Sequence, residues 1–280
     1  MPALSVIIPW SNRPEIEITL ANNRAIFDAI GAEVLIVNCG GDRSMLAAAI
    51  QRSGNEKVRW LEIPVARFNK CLALNLGAHS ISSDVMFTLD SDVILHPGFL
   101  ETALSRVSNE VYVSLQRVIE SDPRPPVKSF LVSMAQTTEL ITREGKAVRF
   151  ENQRLYFEDG SEAGPGLVMI QTRNFRAVGG MNSQLIGWGY EDLDFHLRLN
   201  AVLGLSHSRF GEATHLTHGD EKRMLHGTTQ AASQRLNMTS CYEKYARGDF
   251  MGTFALDVQR WAGLVKVQDP STDGALKAFG

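Results

Sequence analysis

The sequence predicts an α/β protein with a mostly parallel central sheet flanked by helices. Short runs rich in β-branched and aromatic residues alternate with longer segments of helical periodicity, the pattern of βαβ units. The chain has 280 residues, 44% of them hydrophobic, so it is long enough to bury a sizeable core. We therefore expect one large domain, or one domain with a small appendage.

The first half of the chain supplies most of this pattern. The predicted strands are ALSVII (3–8), EVLIV (33–37), VRWLEI (58–63) and VMFTL (85–89), and the predicted helices cover residues 14–30, 43–53 and 69–81. Ligands gather at the carboxyl ends of parallel strands. The polar turns that follow the first, second and fourth strands are therefore expected to converge on one crevice: PWSNRPE, NCGGD and DSD.

Composition excludes several classes of protein. A net charge of −3 lacks the basic footprint of a nucleic-acid binder. The three cysteines have no metal-ligand spacing and are expected to be reduced thiols. The N-terminus lacks the features of a signal peptide, and no apolar run approaches the roughly 20 residues of a membrane span. A cytoplasmic location is the simpler interpretation.

The DSD motif is the first candidate for chemistry. Asp90 and Asp92 flank Ser91 where an apolar strand ends, and two such acids can face a hard divalent cation that also binds phosphate oxygens. The structural alternative is that the acids end the strand and cap the helix that follows Pro97.

Two histidines form the second candidate. His215 and His218 lie three residues apart in EATHLTHGD (212–220), after a predicted strand. Imidazole added to carboxylate suits Mn²⁺ or a similar metal. The alternative is that both are ordinary polar residues that bind no metal.

The stretch GWGYEDLDF (187–195) is the third candidate, with Glu191, Asp192 and Asp194 at the start of a predicted helix. Acids in a first turn are stabilised by the helix dipole, by roughly 0.3–1 kcal/mol each. That explanation accounts for the charge and leaves Trp188 unexplained.

Five motifs occur in the order found in GT-A fold glycosyltransferases: IIPWSNRPE, FNKCLALNLGA (68–78), LDSDVIL (89–95), GWGYEDLDF and HLTHGD. Over about residues 4–220 the chain resembles the β-1,4-galactosyltransferase family and the galactosaminyl-transferring domains of bacterial chondroitin-type polymerases. The resemblance implies a GT-A (nucleotide-diphospho-sugar transferase) fold over residues 1–225, with a nucleotide-sugar-binding half (1–118) and an acceptor-binding half (119–225). Residues 119–163 would form an acceptor-side insertion or a mobile lid.

A C-terminal helical extension (226–280) would follow that domain. Its amphipathic segments are expected to pack on their own domain, with docking to a membrane surface or a partner as the alternative.

The resemblance also assigns site residues. It implies that the donor is bound by Pro9, Trp10, Asn12, Arg13, Asn38, Asn69, Lys70, Asp90, Ser91 and Asp92. Trp10 is equally compatible with a core position. The implied metal ligands are Asp92 and His218, with His215 as a further one, for Mn²⁺ or Mg²⁺. The implied acceptor site is Trp188, Gly189, Glu191 and Asp192, in which Asp192 is the general base and Glu191 orients the acceptor.

The implied function is metal-dependent, inverting transfer of a hexose or N-acetylhexosamine from a UDP-sugar, galactose-type favoured, to a hydroxyl of a saccharide or glycoconjugate in polysaccharide biosynthesis. The alternatives are a retaining glycosyltransferase of the same fold, a nucleotidyltransferase and a non-catalytic sugar-binding module. No nucleic-acid partner is expected. Through the C-terminal helices the protein would reach an assembly partner or the inner membrane face as a peripheral protein.

Overall fold

The structure is a computed structural model that describes residues 3–55, 57–122, 128–219 and 227–268. Parts of the predicted features lie outside these residues: 123–127 of the acceptor-side insertion, 220–225 at the end of the acceptor-binding half with Asp220 of HLTHGD, and 226 and 269–280 of the C-terminal extension.

The first half of the chain folds as regular βα units. Its elements are β1 (Leu4–Trp10), α1 (Ile16–Ala29), β2 (Glu33–Cys39), α2 (Arg43–Ser53), β3 (Val58–Ile63), α3 (Lys70–Ser80) and β4 (Val85–Thr88). The predicted strands and helices of this half are confirmed. The hydrophobic periodicity was sufficient here because the strands are buried along most of their length and helices α1 and α2 each bury one side.

The second half is more irregular and richer in strands. Its elements are β5 (Val93–Leu95), α4 (Phe99–Arg106), β6 (Val111–Glu120), β7 (Ser133–Ile141), β8 (Ala147–Tyr156), β9 (Glu162–Gln171), α5 (Thr172–Ala177), α6 (Glu191–Leu203), β10 (Ser206–His215), α7 (Gln230–Ala246), α8 (Phe254–Trp261) and β11 (Lys266–Gln268). The segment predicted as an insertion or lid thus contains the β7–β8 hairpin.

The strands form one sheet in the order β11-β3-β2-β1-β4-β9-β6-β10-β5, and the β7–β8 hairpin joins it through β9. Strands β3, β2, β1 and β4 are parallel to one another. Beyond β4 the sheet is mixed: β9 runs antiparallel to both of its neighbours, β4 and β6, whereas β6 and β10 are parallel. The α/β class, with helices flanking a central sheet and helices at the C-terminal end, is confirmed.

Two hydrophobic clusters cover the two faces of the sheet. Successive residues of a strand point to opposite faces, so Ile8 packs with Leu20 of α1 in one cluster and Ile7 packs with Leu74 of α3 in the other. Full burial of such side chains stabilises the fold by about 1.5–3 kcal/mol each. This packing fixes the carboxyl ends of β1 and β4, where the candidate site lies.

The C-terminal helix α8 packs on the second cluster through Phe254 and Trp261. Its Asp257 accepts a hydrogen bond from Asn75 of α3 at 2.7 Å. Among the described residues, none of the helices has both the length and the apolar character needed to cross a bilayer.

Candidate functional site

A cavity of about 730 Å³ opens at the carboxyl ends of β1 and β4. Of the predicted site residues, it is lined by Pro9, Arg13, Lys70, Asp90, Ser91, Asp92, Trp188, Gly189, Glu191, Asp192, His215 and His218. The fold therefore brings the turn after β1, the DSD motif, the two histidines and the start of α6 to one place. Four predicted donor residues do not line it: Trp10, Asn12, Asn38 and Asn69.

Trp10 and Asn38 lie in the layer behind the cavity wall. Trp10 is fully buried in the core, and its indole N–H donates to the carbonyl of Arg13 at 2.8 Å. Asn38 is also fully buried and accepts a hydrogen bond from the Gly41 N–H at 2.8 Å. A Cβ at Gly41 would lie 2.6 Å from the Trp10 ring, so the NCGGD turn packs directly on this tryptophan. Both side chains shape the turn that carries Arg13.

Asn12 and Asn69 use their side chains to fix local backbone. Asn12 has a left-handed backbone (φ 55°), and its Oδ1 accepts from the Asp42 N–H at 2.6 Å. Asn69 caps α3, because its Oδ1 accepts from the Leu72 N–H at 2.9 Å. The cap sets the start of α3 and with it the position of Lys70.

Lys70 lies between the DSD motif and the start of α6. Its Nζ is 3.2 Å from Asp90 Oδ1 and 3.4 Å from Asp192 Oδ1. Burial alone would lower the pKa of Lys70, but the charges of Asp192 and Asp90 outweigh it and hold that pKa well above its ordinary value. Lys70 is therefore a cation that links the two sides of the cavity.

Asp92, His215 and His218 form a cluster that could hold a metal ion, with one ligand atom from each lying within 4.8 Å of the others. The Nε2 atoms of His215 and His218 are 3.7 Å and 3.4 Å from Asp92 Oδ2. Arg13 also pairs with Asp92. Burial would raise the pKa of Asp92, but the hydrogen bonds from the two histidines and the charge of Arg13 lower it. The DSD acids do not cap α4, since the residue before that helix is Gly98 and no side chain caps it.

The other ring nitrogens of the two histidines are already engaged. His215 Nδ1 lies 2.9 Å from Glu120 Oε2, and His218 Nδ1 lies 2.9 Å from the carbonyl of Gly219. Both Nε2 atoms therefore face Asp92 in a fixed orientation, as metal-ligating histidines do. One carboxylate and two imidazoles suit Mn²⁺ or a similar divalent ion, so these residues fit the predicted metal.

Glu120 is a site residue that the motifs did not indicate. It ends β6 and is paired with His215 of β10 in the sheet register, 95 residues away in the chain. Burial would lower the pKa of His215, but the hydrogen bonds and charges of Asp92 and Glu120 raise it to about 9. Metal binding at His215 therefore competes with a proton.

A second wall of the cavity is formed by a turn and the first residues of α6. Gly187 and Gly189 have left-handed backbones (φ 84° and 93°), and Trp188 between them lines the cavity. Glu191 Oε2 is buried and has no hydrogen-bond partner among the described residues. Burial and the charge of Asp192 raise the pKa of Glu191 to about 7.

Gly166 of β9 provides the space that Asp192 occupies. A Cβ at this position would lie 2.7 Å from Asp192 Oδ2 and 2.7 Å from Lys70 Nζ. A side chain here would displace both groups, so the close approach requires glycine.

Asp194 differs from the two acids before it. It is 1% exposed, accepts from Arg198 Nε at 2.8 Å and accepts from the Tyr245 hydroxyl at 2.7 Å. Two of the three acids in GWGYEDLDF thus face the cavity, and the third is part of a buried ion pair.

Further lining residues come from elements with no recognisable motif. Helix α7 contributes Ala231, Gln234, Arg235, Met238 and Tyr242, and the β7–β8 hairpin contributes Gln136, Asn152 and Gln153. Their amphipathic or alternating patterns predict secondary structure, but nothing in them indicates which cavity they border.

Comparisons with known proteins identify the family of this chain. Residues 5–174 match the model of glycosyl transferase family 2, and residues 147–222 match the model described as the N-terminal domain of galactosyltransferase. The chain is 25% identical over 221 residues to validoxylamine A glucosyltransferase of Streptomyces hygroscopicus subsp. jinggangensis. That match covers 72% of this chain, and the chain spans about half the length (52%) of this curated relative.

Two solved structures show the same fold. Glucosyl-3-phosphoglycerate synthase from Mycobacterium tuberculosis, in complex with Mn²⁺, UDP-glucose and phosphoglyceric acid, is 16% identical with a TM-score of 0.53. That match covers 87% of this chain and 79% of the synthase. A mannosyltransferase from Pyrobaculum calidifontis, in complex with GDP-mannose and Mn²⁺, is 14% identical with a TM-score of 0.51, covering 94% of this chain and 76% of its own. At these identities the likeness establishes the fold.

Proposed function

This chain belongs to glycosyl transferase family 2, and we propose that it moves a hexose or N-acetylhexosamine from a UDP-sugar to a hydroxyl of a saccharide or glycoconjugate. One observation carries the proposal. A single cavity joins the Asp92–His215–His218 cluster to the wall formed by Trp188, Glu191 and Asp192. Donor and acceptor would thus meet between a site for the diphosphate and a site for a sugar ring.

The donor end supplies charge for the leaving group. Asp92, His215 and His218 would hold Mn²⁺ or Mg²⁺, which would neutralise the charge that develops on the diphosphate. Arg13, at the end of the turn after β1, offers a planar fork of donors for phosphate oxygens. Lys70, at the start of α3, places its Nζ beside Asp90 of the DSD motif.

The acceptor end supplies the base. Asp192 would take the proton of the attacking hydroxyl as that oxygen forms its bond to the anomeric carbon. The bond from this carbon to the diphosphate breaks, and its electron pair leaves with the diphosphate. A single displacement of this kind inverts the configuration. Measuring the anomeric configuration of the first product by NMR separates it from the retaining alternative.

Galactose-type donors are our preferred candidates, UDP-galactose or UDP-N-acetylgalactosamine. The match of residues 147–222 to a galactosyltransferase domain supports this choice. UDP-glucose is the donor to compare, because the validoxylamine relative is named a glucosyltransferase. The proposed setting is polysaccharide biosynthesis in the cytoplasm or, through the C-terminal helices, at the inner membrane face.

Calorimetry with UDP-, GDP- and dTDP-sugars, with and without Mn²⁺, tests the donor and the metal together. We expect a UDP-sugar to bind only with the metal, and Asp92→Ala to lose this binding while retaining its circular dichroism spectrum. Asp84→Ala is the matched control, since Asp84 is exposed and does not line this cavity. Metal-dependent UDP affinity that survives Asp92→Ala, or much tighter binding of a GDP- or dTDP-sugar, would contradict the proposal.

A further inference from the structure

Helix α7 buries two polar side chains against the domain. Its buried residues are Ser233, Asn237 and Cys241, spaced by four, so they lie along one side of the helix. A helix on the surface of a globular protein normally buries an apolar stripe. Two hydrogen-bonding side chains in that place therefore need partners, and they find them in the turn that carries Trp188.

Ser233 and Asn237 bind the backbone of this turn. Ser233 Oγ accepts from the Trp188 N–H at 2.9 Å and donates to the carbonyl of Ile186 at 3.3 Å. Asn237 Oδ1 accepts from the Ile186 N–H at 3.3 Å, and its Nδ2 donates to the carbonyls of Ile186 and Gly189 at 3.2 Å and 2.9 Å. Residues 186–189 belong to no strand or helix, so side chains of α7 supply hydrogen bonds that secondary structure would otherwise give to the backbone of this turn.

The turn depends on these contacts because its two glycines give its backbone conformational freedom. Gly187 and Gly189 both have positive φ, a region that glycine enters freely and leaves as freely. A Cβ at Gly189 would lie 3.0 Å from Cβ of Gln234, so α7 lies directly against the turn. Without α7, little in the local sequence would select one orientation of Trp188.

The contacts of α7 continue on the other side of the catalytic pair. Tyr190 has φ 75°, which is a strained backbone for a bulky residue, and its ring packs edge-on against Tyr242 of α7 at 5.9 Å. Tyr245 of α7 donates to Asp194 Oδ1 at 2.7 Å. Glu191 and Asp192 are therefore bracketed by residues that α7 holds. Strain of this kind persists only where surrounding packing fixes it.

We propose that Ser233 and Asn237 are positioning residues that fix Trp188 for acceptor binding. This inference rests on the proposed function, in which Trp188 presents its ring to the acceptor sugar. Neither residue lines the cavity, so each would act through the turn and not by contact with substrate. The acceptor side should depend on them, and the donor side should not.

The experiment compares Ser233→Ala and Asn237→Ala with Ser240→Ala, a control at an exposed position of the same helix. Ser233→Thr retains the hydroxyl and should restore the wild-type behaviour. Amide hydrogen exchange at Ile186 and Trp188 reports the order of the turn without any turnover. Donor Kd with Mn²⁺, acceptor KM and kcat report its effect on the reaction.

We expect faster exchange at Trp188 in Ser233→Ala and at Ile186 in Asn237→Ala. Acceptor KM should rise by roughly five- to tenfold for each hydrogen bond lost, with donor Kd unchanged. Unchanged exchange would overturn the inference, and so would faster exchange with an unchanged acceptor KM. If Asn237→Ala does not fold, the comparison of Ser233→Ala with Ser233→Thr still tests the inference. A wild type that transfers no sugar would contradict the proposed function, while the exchange data would still decide whether α7 holds the turn.

Discussion

The two ends of the cavity are built in different ways. At the proposed metal end, Asp92 pairs with Arg13, and His215 bonds Glu120 across the β6–β10 pair. His218 bonds the carbonyl of Gly219. At the proposed acceptor end, Trp188 lies in a turn between two glycines, and Glu191 has a buried oxygen with no hydrogen-bond partner among the described residues. The sheet therefore brings the charged groups together, whereas the wall that carries Trp188 is held by α7, a helix distant in the chain.

The largest difference between the effects on transfer and on donor binding is expected from Asp192→Asn. The variant retains the size of the side chain and loses the group that accepts the proton. Transfer should fall by about 10²–10⁴-fold, the usual range for a general base, while donor Kd stays near the wild-type value. Initial rates and calorimetry measure the two quantities. Near-normal transfer would remove the catalytic role proposed for Asp192.

Asp194→Asn, two residues along the same helix, should give the opposite result. It breaks a buried ion pair with Arg198, a change that typically costs about 3–5 kcal/mol of stability. We expect a large fall in the free energy of unfolding in urea, which Asp192→Asn should not show. Equal stabilities for the two variants would mean that Asp194 contributes no more to the fold than a solvated acid of the first turn.

Glu120→Gln tests the metal end. It retains a hydrogen-bond acceptor for His215 and removes the charge. The affinity for Mn²⁺ should fall by about 10–100-fold, as is usual for a group that orients a metal ligand. Glu110→Gln is a matched control, since Glu110 is exposed and precedes the same strand. Direct Mn²⁺ titration measures both, and an unchanged affinity in Glu120→Gln would argue against the assigned ligand set.

Glu191→Gln tests the proposed acceptor end through the pH dependence of the protein's stability. The folded-state pKa of Glu191 is raised to about 7, mainly by burial, above an ordinary value near 4.5. The folded state therefore binds the extra proton, and its stability falls as pH rises from about 4.5 through 7. In metal-free buffer, Glu191→Gln should be more stable than the wild type by roughly 1–3 kcal/mol at pH 8 and little different at about pH 4. The same difference at both pH values would contradict this.

The sequence was sufficient to predict those elements and site residues whose pattern lies in adjacent positions of the chain. The βα units of the first half follow from burial periodicity, and the DSD, THLTH and GWGYED motifs lie on one cavity because strand ends meet. Local pattern could not distinguish Trp10 from Trp188, one in the core and one on the cavity wall. That difference depends on which surface packs over each ring.

Long-range pairing accounts for what the sequence did not reveal. Glu120 reaches His215 only because β6 and β10 are neighbours, and Ser233 reaches Trp188 across 45 residues of chain. Asp194 is an acid of the same motif, two residues after Asp192, and only the positions of Tyr245 and Arg198 show that it is structural. Such contacts are properties of the assembled fold.

The amide of Asn237 has a consequence for producing the protein. Asn237, Met238 and Thr239 form an N-x-T acceptor for N-linked glycans. A glycan would be attached to the Nδ2 atom that donates to the Ile186 and Gly189 carbonyls, in a side chain that is only 6% exposed. Modification of the nascent chain in a eukaryotic secretory pathway would therefore prevent α7 from docking. A host or compartment without N-glycosylation is the appropriate choice, and a glycosidase-sensitive mass shift would identify chains in which this helix has not docked.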